Sequence, residues 1–300
     1  MWTSRLHHFA RYLGRSTRST KVPLEVYLEP TNRCNLQCAS CPLSRMTRPV
    51  GTIDMALFRR IADQLDGCEV VNLYVYGEPL LHPSIDEMIG RLRARGVGPT
   101  LTSNGALLTE EAADRLIDAG LEHLIISIDT ADEELYGQLR PGSDWTRVIT
   151  GIRTIAERAR SRGHRMVIHV SAVQTDRLLD TLPEFLAFVR SLPVDGQRFE
   201  RFIDLSRDRE LASAAPFPTA ASRHTHFYLW RKLYVTWDGR AMVCPYHVYG
   251  GEDGLFVGDL RQETVAEVWN GPEMRERRRR ALARESIMPA CCGCGFPAYP

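Results

Sequence analysis

The chain has no acidic residue before Glu25, no apolar run near the ~18 residues that cross a bilayer, and almost no net charge. Its 300 residues carry a formal charge of +1. That removes any global pull toward nucleic acid or an anionic membrane, and neither partner is expected. The N-terminus lacks the apolar core of a secretory signal. No internal repeat is visible. Cysteine is missing between Cys68 and Cys244. Seven of the eight cysteines fall instead in two groups toward the ends: Cys34, Cys38 and Cys41, then Cys244, Cys291, Cys292 and Cys294. Such grouping suits metal ligation in a reducing cytoplasm rather than a disulfide framework.

What is present is ordinary for a globular chain: 44% hydrophobic and 25% charged residues, enough for a sizeable core. The first residues are basic (Arg5, Arg11, Arg15, Arg18, Lys21) and superficially like an organellar transit peptide. The preferred reading is an amphipathic helix packed on the domain through Trp2, Leu6, Phe9 and Leu13. Beyond it, β-rich runs at Leu24–Leu28, Val70–Tyr76, Thr100–Thr102, Leu124–Ile128, Met166–Ala172 and Phe199–Ile203 read as strands. Helical periodicity fills Met55–Leu65, Ser84–Ala94, Thr109–Ala119, Thr146–Arg162 and Leu182–Ser191. Gly96 and Gly120 read as helix stops. Alternating units of this kind predict an α/β fold with a parallel sheet, an open partial (β/α)6 barrel. Sites in such sheets lie past the carboxyl ends of the strands, where polar tips recur: Gly77-Glu78-Pro79, Ser103-Asn104-Gly105, Asp129-Thr130 and Gln174-Thr175. From Ala212–Ala221 the texture becomes a Pro/Ala linker. A hairpin follows, Leu233–Val235 and Ala241–Val243 about Asp238-Gly239, with a helix from Val265. The expected organisation is a basic segment at 1–22, the barrel at 23–211, and a linker with a small hairpin-plus-helix module at 212–300.

The first cysteines stand at CxxxCxxC immediately after the first strand. Three thiolates hold three corners of a cubane iron–sulfur cluster and leave the fourth iron open to a small molecule, whereas electron-transfer clusters commonly use four cysteines. The spacing alone also leaves open a structural zinc site or three unrelated buried cysteines. Taken with Gly77-Glu78-Pro79, it resembles the signature of the radical S-adenosylmethionine (SAM) enzymes. That resemblance implies a 4Fe-4S cluster on Cys34, Cys38 and Cys41, with SAM chelated at the open iron. It further implies SAM contacts from Gly77, Glu78 and Pro79, from the tips Ser103, Asn104, Ser127 and Asp129, and from Arg140. The family's first glycine is Tyr76 here. Its usual aromatic before the third cysteine is Ser40, which leaves adenine to other side chains such as Leu43 or Val173.

The C-terminal cysteines resemble the shortened auxiliary-cluster (Twitch) module of the same enzymes. Its elements are Asp238-Gly239 before Cys244, then Gly258-Asp259-Leu260 and Trp269-Asn270, then Cys291-x-x-Cys294. The resemblance implies one auxiliary 4Fe-4S cluster on Cys244, Cys291 and Cys294. The family's first ligand would fall at His226, so the fourth iron is either held by that imidazole or open. The arginine run Arg275 and Arg277–Arg280 reads as a solvated helix face. Cys68, at the amino end of its strand, reads as structural.

What the resemblance implies is a cytoplasmic enzyme acting on a small molecule, fed electrons by a flavodoxin- or ferredoxin-type reductant. The expected reaction oxidises a secondary alcohol of an aminocyclitol or amino sugar to a ketone. Epimerisation, with Cys292 as hydrogen donor, and peptide maturation are the alternatives. A structural zinc protein is the non-enzymatic one.

Overall fold

The computed structural model describes residues 2–39, 41–201, 226–245 and 256–287. Ten helices occur among them: α1 Trp2–Leu13, α2 Met55–Ala62, α3 Ile85–Ala94, α4 Glu110–Asp118, α5 Glu133–Leu139, α6 Trp145–Ser161, α7 Asp176–Asp180, α8 Leu182–Ser191, α9 Val265–Trp269 and α10 Pro272–Ala283. The strands are β1 Glu25–Leu28, β2 Val70–Leu73, β3 Gly98–Ser103, β4 His123–Ser127, β5 Val167–Gln174, β6 Gly196–Arg201, β7 Lys232–Val235, β8 Arg240–Met242 and β9 Phe256–Asp259. All six expected barrel strands form and pair in parallel in chain order, β1 to β6. Helices start where short polar side chains accept backbone N–H groups. Asp54, Thr109, Asp132 and Asp144 cap α2, α4, α5 and α6 in this way. The fold is the expected partial barrel.

The C-terminal strands continue the barrel's own sheet, in the order β6-β5-β4-β3-β2-β1-β7-β8-β9. β7 lies parallel to β1, with Val26 opposite Leu233 and Leu28 opposite Val235. The hairpin turn after β7 therefore stands at the same end of the sheet as the cysteine loop after β1. Period-two alternation sends Val26, Leu28, Val71, Leu73, Ile126 and Val170 into the helix-covered core, which also takes in Leu233 and Val235. The opposite, inner face carries Tyr27, Tyr74, Thr100, Thr102, His123, His169 and Tyr234. Among the described residues no helix is long and apolar enough to cross a membrane.

Two sequence expectations fail here. Helix α1 forms and Phe9, though 45% exposed, meets Phe227 edge-on at 5.8 Å, but Leu6 and Leu13 each remain 61% exposed. The helix docks instead through His8, buried against the Trp230 carbonyl, and Tyr12, whose ring lies 5.0 Å from Phe227 and 5.3 Å from Trp230. Aromatic partners more than two hundred residues away decide which face is inside. The arginine run is likewise only partly solvated, because Arg277 and Arg278 are buried. Arg278 lies 4.3 Å over the Trp269 ring and donates to the carbonyls of Leu229 and Thr17. Burial brings its pKa down to about 9.

Cys68 is buried before β2, its thiol directed at the Leu24 and Val70 carbonyls, and burial pushes its pKa up to about 12. That fits a structural residue.

Candidate active site

The loop from Thr31 to Pro49 leaves the end of β1 carrying the three cysteines. Its base is closed by a pair that the sequence did not announce. Arg48 makes two parallel bonds to Glu29, at 2.9 and 2.7 Å, with both side chains buried. A bidentate guanidinium–carboxylate contact fixes geometry as well as charge. Asn32 adds a second clasp, donating to the Pro49 carbonyl at 2.9 Å and accepting from Gly51 N at 2.7 Å.

The tip of β2 presses on this loop. Gly77 has φ +80, and a Cβ there would stand 2.4 Å from the Thr31 carbonyl oxygen and 2.7 Å from that of Arg33. Only glycine fits so close an approach in that conformation. Glu78 N then donates to the Arg33 carbonyl at 2.8 Å. Pro79 is buried and opens a short 3-10 turn, Pro79–Leu81.

Glu78 is the hub of the first cluster of predicted residues. Its Oε1 accepts from Ser103 Oγ at 2.9 Å and Leu80 N at 3.0 Å, and its Oε2 accepts from Asn104 N at 2.7 Å. Burial raises its pKa, while these donors and Arg140 oppose that shift. The carboxylate thus braces the β2 tip to the β3 tip and retains acceptor capacity on Oε2. Asn104 continues the network, donating to Asn35 Oδ1 at 3.0 Å with Cys34 Sγ at 3.8 Å.

Arg140 organises the second cluster. It caps the end of α5 and bonds Asp129 Oδ2 through Nε at 2.9 Å, with Nη2 at 2.7 Å. Its Nη1 lies 3.8 Å from Cys38 Sγ. Burial works against the guanidinium charge, but Asp129 and Cys38 outweigh it, so its pKa is raised. Asp129 Oδ1 accepts Val173 N at 2.9 Å, tying the rim of β4 to β5. Ser127 ends β4 opposite Ser171, half-buried and apart from both networks.

None of the five described cysteines is in a disulfide. Burial pushes the Cys38 thiol up to about 11, with Cys41 and Cys34 contributing and Arg140 opposing. Cys34 and Cys41 are raised chiefly by burial as well. Thiols that perturb one another beside a guanidinium and an amide N–H suit an anionic cluster, which binds them deprotonated. Among the described residues no three His, Cys, Asp or Glu converge on a single-ion site. A cubane does not need them to, since its thiolates sit on separate irons.

Of the second constellation, Cys244 is buried directly after β8. His226 precedes the 3-10 turn Phe227–Trp230, its ring edge-on to Tyr228 at 5.2 Å, with its pKa lowered by burial. The neutral imidazole is the form that ligates metal. Cys291, Cys292, Cys294 and Ser40 lie outside the described residues.

Comparison with known proteins matches residues 28–184 to the radical SAM superfamily and residues 227–295 to an iron–sulfur cluster-binding domain. A Pyrococcus furiosus tungsten-containing aldehyde ferredoxin oxidoreductase cofactor-modifying protein is 22% identical, over 90% of this chain and 87% of its own. A PqqA peptide cyclase of Xanthomonas euvesicatoria is 25% identical, over 91% and 80%. Among solved structures, SuiB of Streptococcus suis bound to S-adenosylmethionine superposes with a TM-score of 0.71 at 16% identity, covering 97% of this chain and 74% of that one. BtrN in complex with AdoMet and 2-DOIA superposes with a TM-score of 0.56 at 19% identity, covering 92% and 94%.

Proposed function

The chain belongs to the radical SAM superfamily, and on that premise we propose that it oxidises a secondary alcohol of an aminocyclitol or amino sugar to the ketone. The cofactors are SAM, the 4Fe-4S cluster that binds it and an auxiliary iron–sulfur cluster. When bound, they supply a carbon-centred radical that takes hydrogen from the substrate and an acceptor for the remaining electron. Cys34, Cys38 and Cys41 hold the first cluster, and Cys244, Cys291 and Cys294 the auxiliary one. Glu78, through the capacity left on Oε2, accepts the SAM ammonium. Arg140 lies beside the anionic cluster and holds Asp129 in place at the rim.

The observation that carries the choice of substrate is the polar inner face of the sheet. Lys232 Nζ donates to Tyr27 Oη at 3.1 Å and lies 3.3 Å from Glu25 Oε2. Tyr27 stacks on Tyr234 at 4.7 Å and meets Tyr74 edge-on at 5.6 Å. His169 and His123 share a hydrogen bond of 2.7 Å. The tyrosine hydroxyls toward the carboxyl ends of β1, β2 and β7 suit a compact ligand rich in hydroxyl and amino groups, whereas Glu25, Lys232 and His123 begin their strands at the end away from the cysteine loop. A cytoplasmic setting and a flavodoxin- or ferredoxin-type donor complete the reading.

Removing one hydrogen atom from carbon, one proton from the hydroxyl and one electron yields the ketone. With aminocyclitols and amino sugars offered to anaerobically reconstituted, dithionite-reduced enzyme, product mass is expected to fall by two hydrogens per SAM consumed. Unchanged mass in ordinary water, with one deuterium gained at carbon in deuterated solvent and this gain lost in Cys292→Ala, would make the enzyme an epimerase. The second reading is peptide modification. It is favoured by the peptide cyclase relative and by SuiB, which has also been solved with precursor peptide SuiA. Turnover of a peptide encoded beside the gene, with none of any sugar, would establish it.

A further inference from the structure

Tyr76 occupies the position just before Gly77, and its phenol Oη donates to the Pro245 carbonyl at 2.7 Å. Pro245 is the residue after Cys244. One hydrogen bond across 169 residues therefore joins the tip that carries Gly77 and Glu78 to the backbone beside a proposed auxiliary-cluster ligand. From this geometry we propose that Tyr76 is a positioning residue that couples SAM binding to occupancy of the auxiliary cluster. The inference rests on the reading of Cys244 as an auxiliary ligand.

The connection has no slack on the SAM side. Gly77 is wedged against the carbonyls of Thr31 and Arg33, and Glu78 N is bonded to Arg33 O, one residue before Cys34. A displacement of Tyr76 must pass into the cysteine loop or into the Glu78 carboxylate, which is held by three donors. The other end of the hairpin is pinned too. Trp237 N donates to Glu29 Oε2 at 3.1 Å, and Trp237 Nε1 donates to Pro49 O at 3.2 Å. The Trp237 ring fills the space a side chain at residue 51 would take, so that residue is glycine. With the turn fixed by Glu29, movement of the Cys244 segment is felt at Tyr76, which bonds the very next residue, Pro245. Well-packed contacts shift between discrete arrangements rather than yielding continuously. Ligation at Cys244 sets where Pro245 lies, and Tyr76 reports that position to Gly77 and Glu78. Coupling of this kind is reciprocal, so SAM must also favour the arrangement in which the auxiliary site is filled.

The test is a double-mutant cycle on SAM affinity, measured by equilibrium dialysis against anaerobically reconstituted protein. The four proteins are the parent, Tyr76→Phe, Cys244→Ala and the double variant. Each is checked for iron content and for the spectrum of the SAM-binding cluster. The expectation is that Cys244→Ala weakens SAM binding about three- to tenfold when Tyr76 is present, the scale of one hydrogen bond, and less than about twofold in Tyr76→Phe. Equal weakening in both backgrounds overturns the proposal. Cys244→Ser serves as a second probe of the same cycle, because the smaller polar change preserves folding where Ala does not. Iron content separates the two failures. About eight irons in the parent with no coupling rejects the Tyr76 link alone, whereas about four irons rejects the auxiliary cluster and the link with it.

Discussion

Arg140 and Asp129 form a buried ion pair, 2.7 Å between Nη2 and Oδ2, whose guanidinium also borders the Cys38 thiol at 3.8 Å. The pair links the end of α5 to the rim of β4 and sets a positive charge beside the cysteine loop. Removing only the cation leaves Asp129 as a buried, unpaired anion. Arg140→Ala is expected to destabilise the protein by about 3–5 kcal/mol and to lower iron retention under a chelator. Arg140→Lys keeps the charge but loses the fork, and should fall between parent and Ala. Urea unfolding and iron analysis measure both; parent-like values for Arg140→Ala would refute the role.

Glu78 offers a sharper test, since Glu78→Gln changes few atoms. The three groups that now donate to the carboxylate would face an amide with one acceptor oxygen. One donor loses its partner, and the expected cost is about 1–3 kcal/mol. Because the same carboxylate is read as the SAM ammonium acceptor, SAM affinity should fall with stability. A thermal scan and a SAM titration follow the two effects, and a variant that loses neither would remove Glu78 from the site.

His226 is expected to ligate the auxiliary cluster. His226→Ala should loosen that cluster, and His226→Cys should retain it at a lower potential, because a thiolate adds negative charge where the imidazole had none. His224→Ala, changing the other histidine two positions earlier in the sequence, is the control. Acid should weaken ligation only below the ordinary histidine range, since the ring must be neutral to bind and burial lowers its pKa. Absence of nitrogen coupling in pulsed electron paramagnetic resonance, with an unaltered potential in His226→Ala, would leave an open iron instead.

The His123–His169 pair predicts acid sensitivity. Burial and then Arg198 lower both rings, His123 to about 4 from the ordinary 6.5. A depressed folded-state pKa means that the unfolded chain binds the proton first. The contribution is present above pH 6.5 and is lost as pH falls toward 4. Both rings are partly open to solvent, so about 1–2 kcal/mol is a fair expectation after screening. Urea midpoints at pH 7.5 and 5 should differ less in His123→Gln than in the parent.

Much of this was readable from sequence because the signals were local. Apolar runs at a period of two placed all six barrel strands, and the tips following them held Glu78, Ser103, Asn104 and Asp129. The misses share a different cause. A helix such as α1 presents several plausible stripes, and only Phe227 and Trp230 select His8 and Tyr12, with Phe9 at the margin, over Leu6 and Leu13. Arginines are ordinarily exposed, so the burial of Arg278 depends on Trp230 and Trp269, which no local rule brings to it. No spacing rule pairs Glu29 with Arg48, and only the closed loop between them brings the two together. The short strand β9 was hidden by Gly258, whose missing side chain makes room for Val268.

The position of β1 in the sheet has a consequence for how the molecule can be divided. Glu25, Val26 and Tyr27 pair with β2 on one side, and all four of its residues pair with β7 on the other. A fragment ending before β7 would bare the amide and carbonyl groups of β1 next to the cysteine loop, an unprotected edge able to recruit strands from other chains. The C-terminal portion therefore serves the first as a selvedge as well as a carrier of ligands. Truncates meant to isolate the SAM-cleaving half are expected to aggregate unless residues 232–235 are kept.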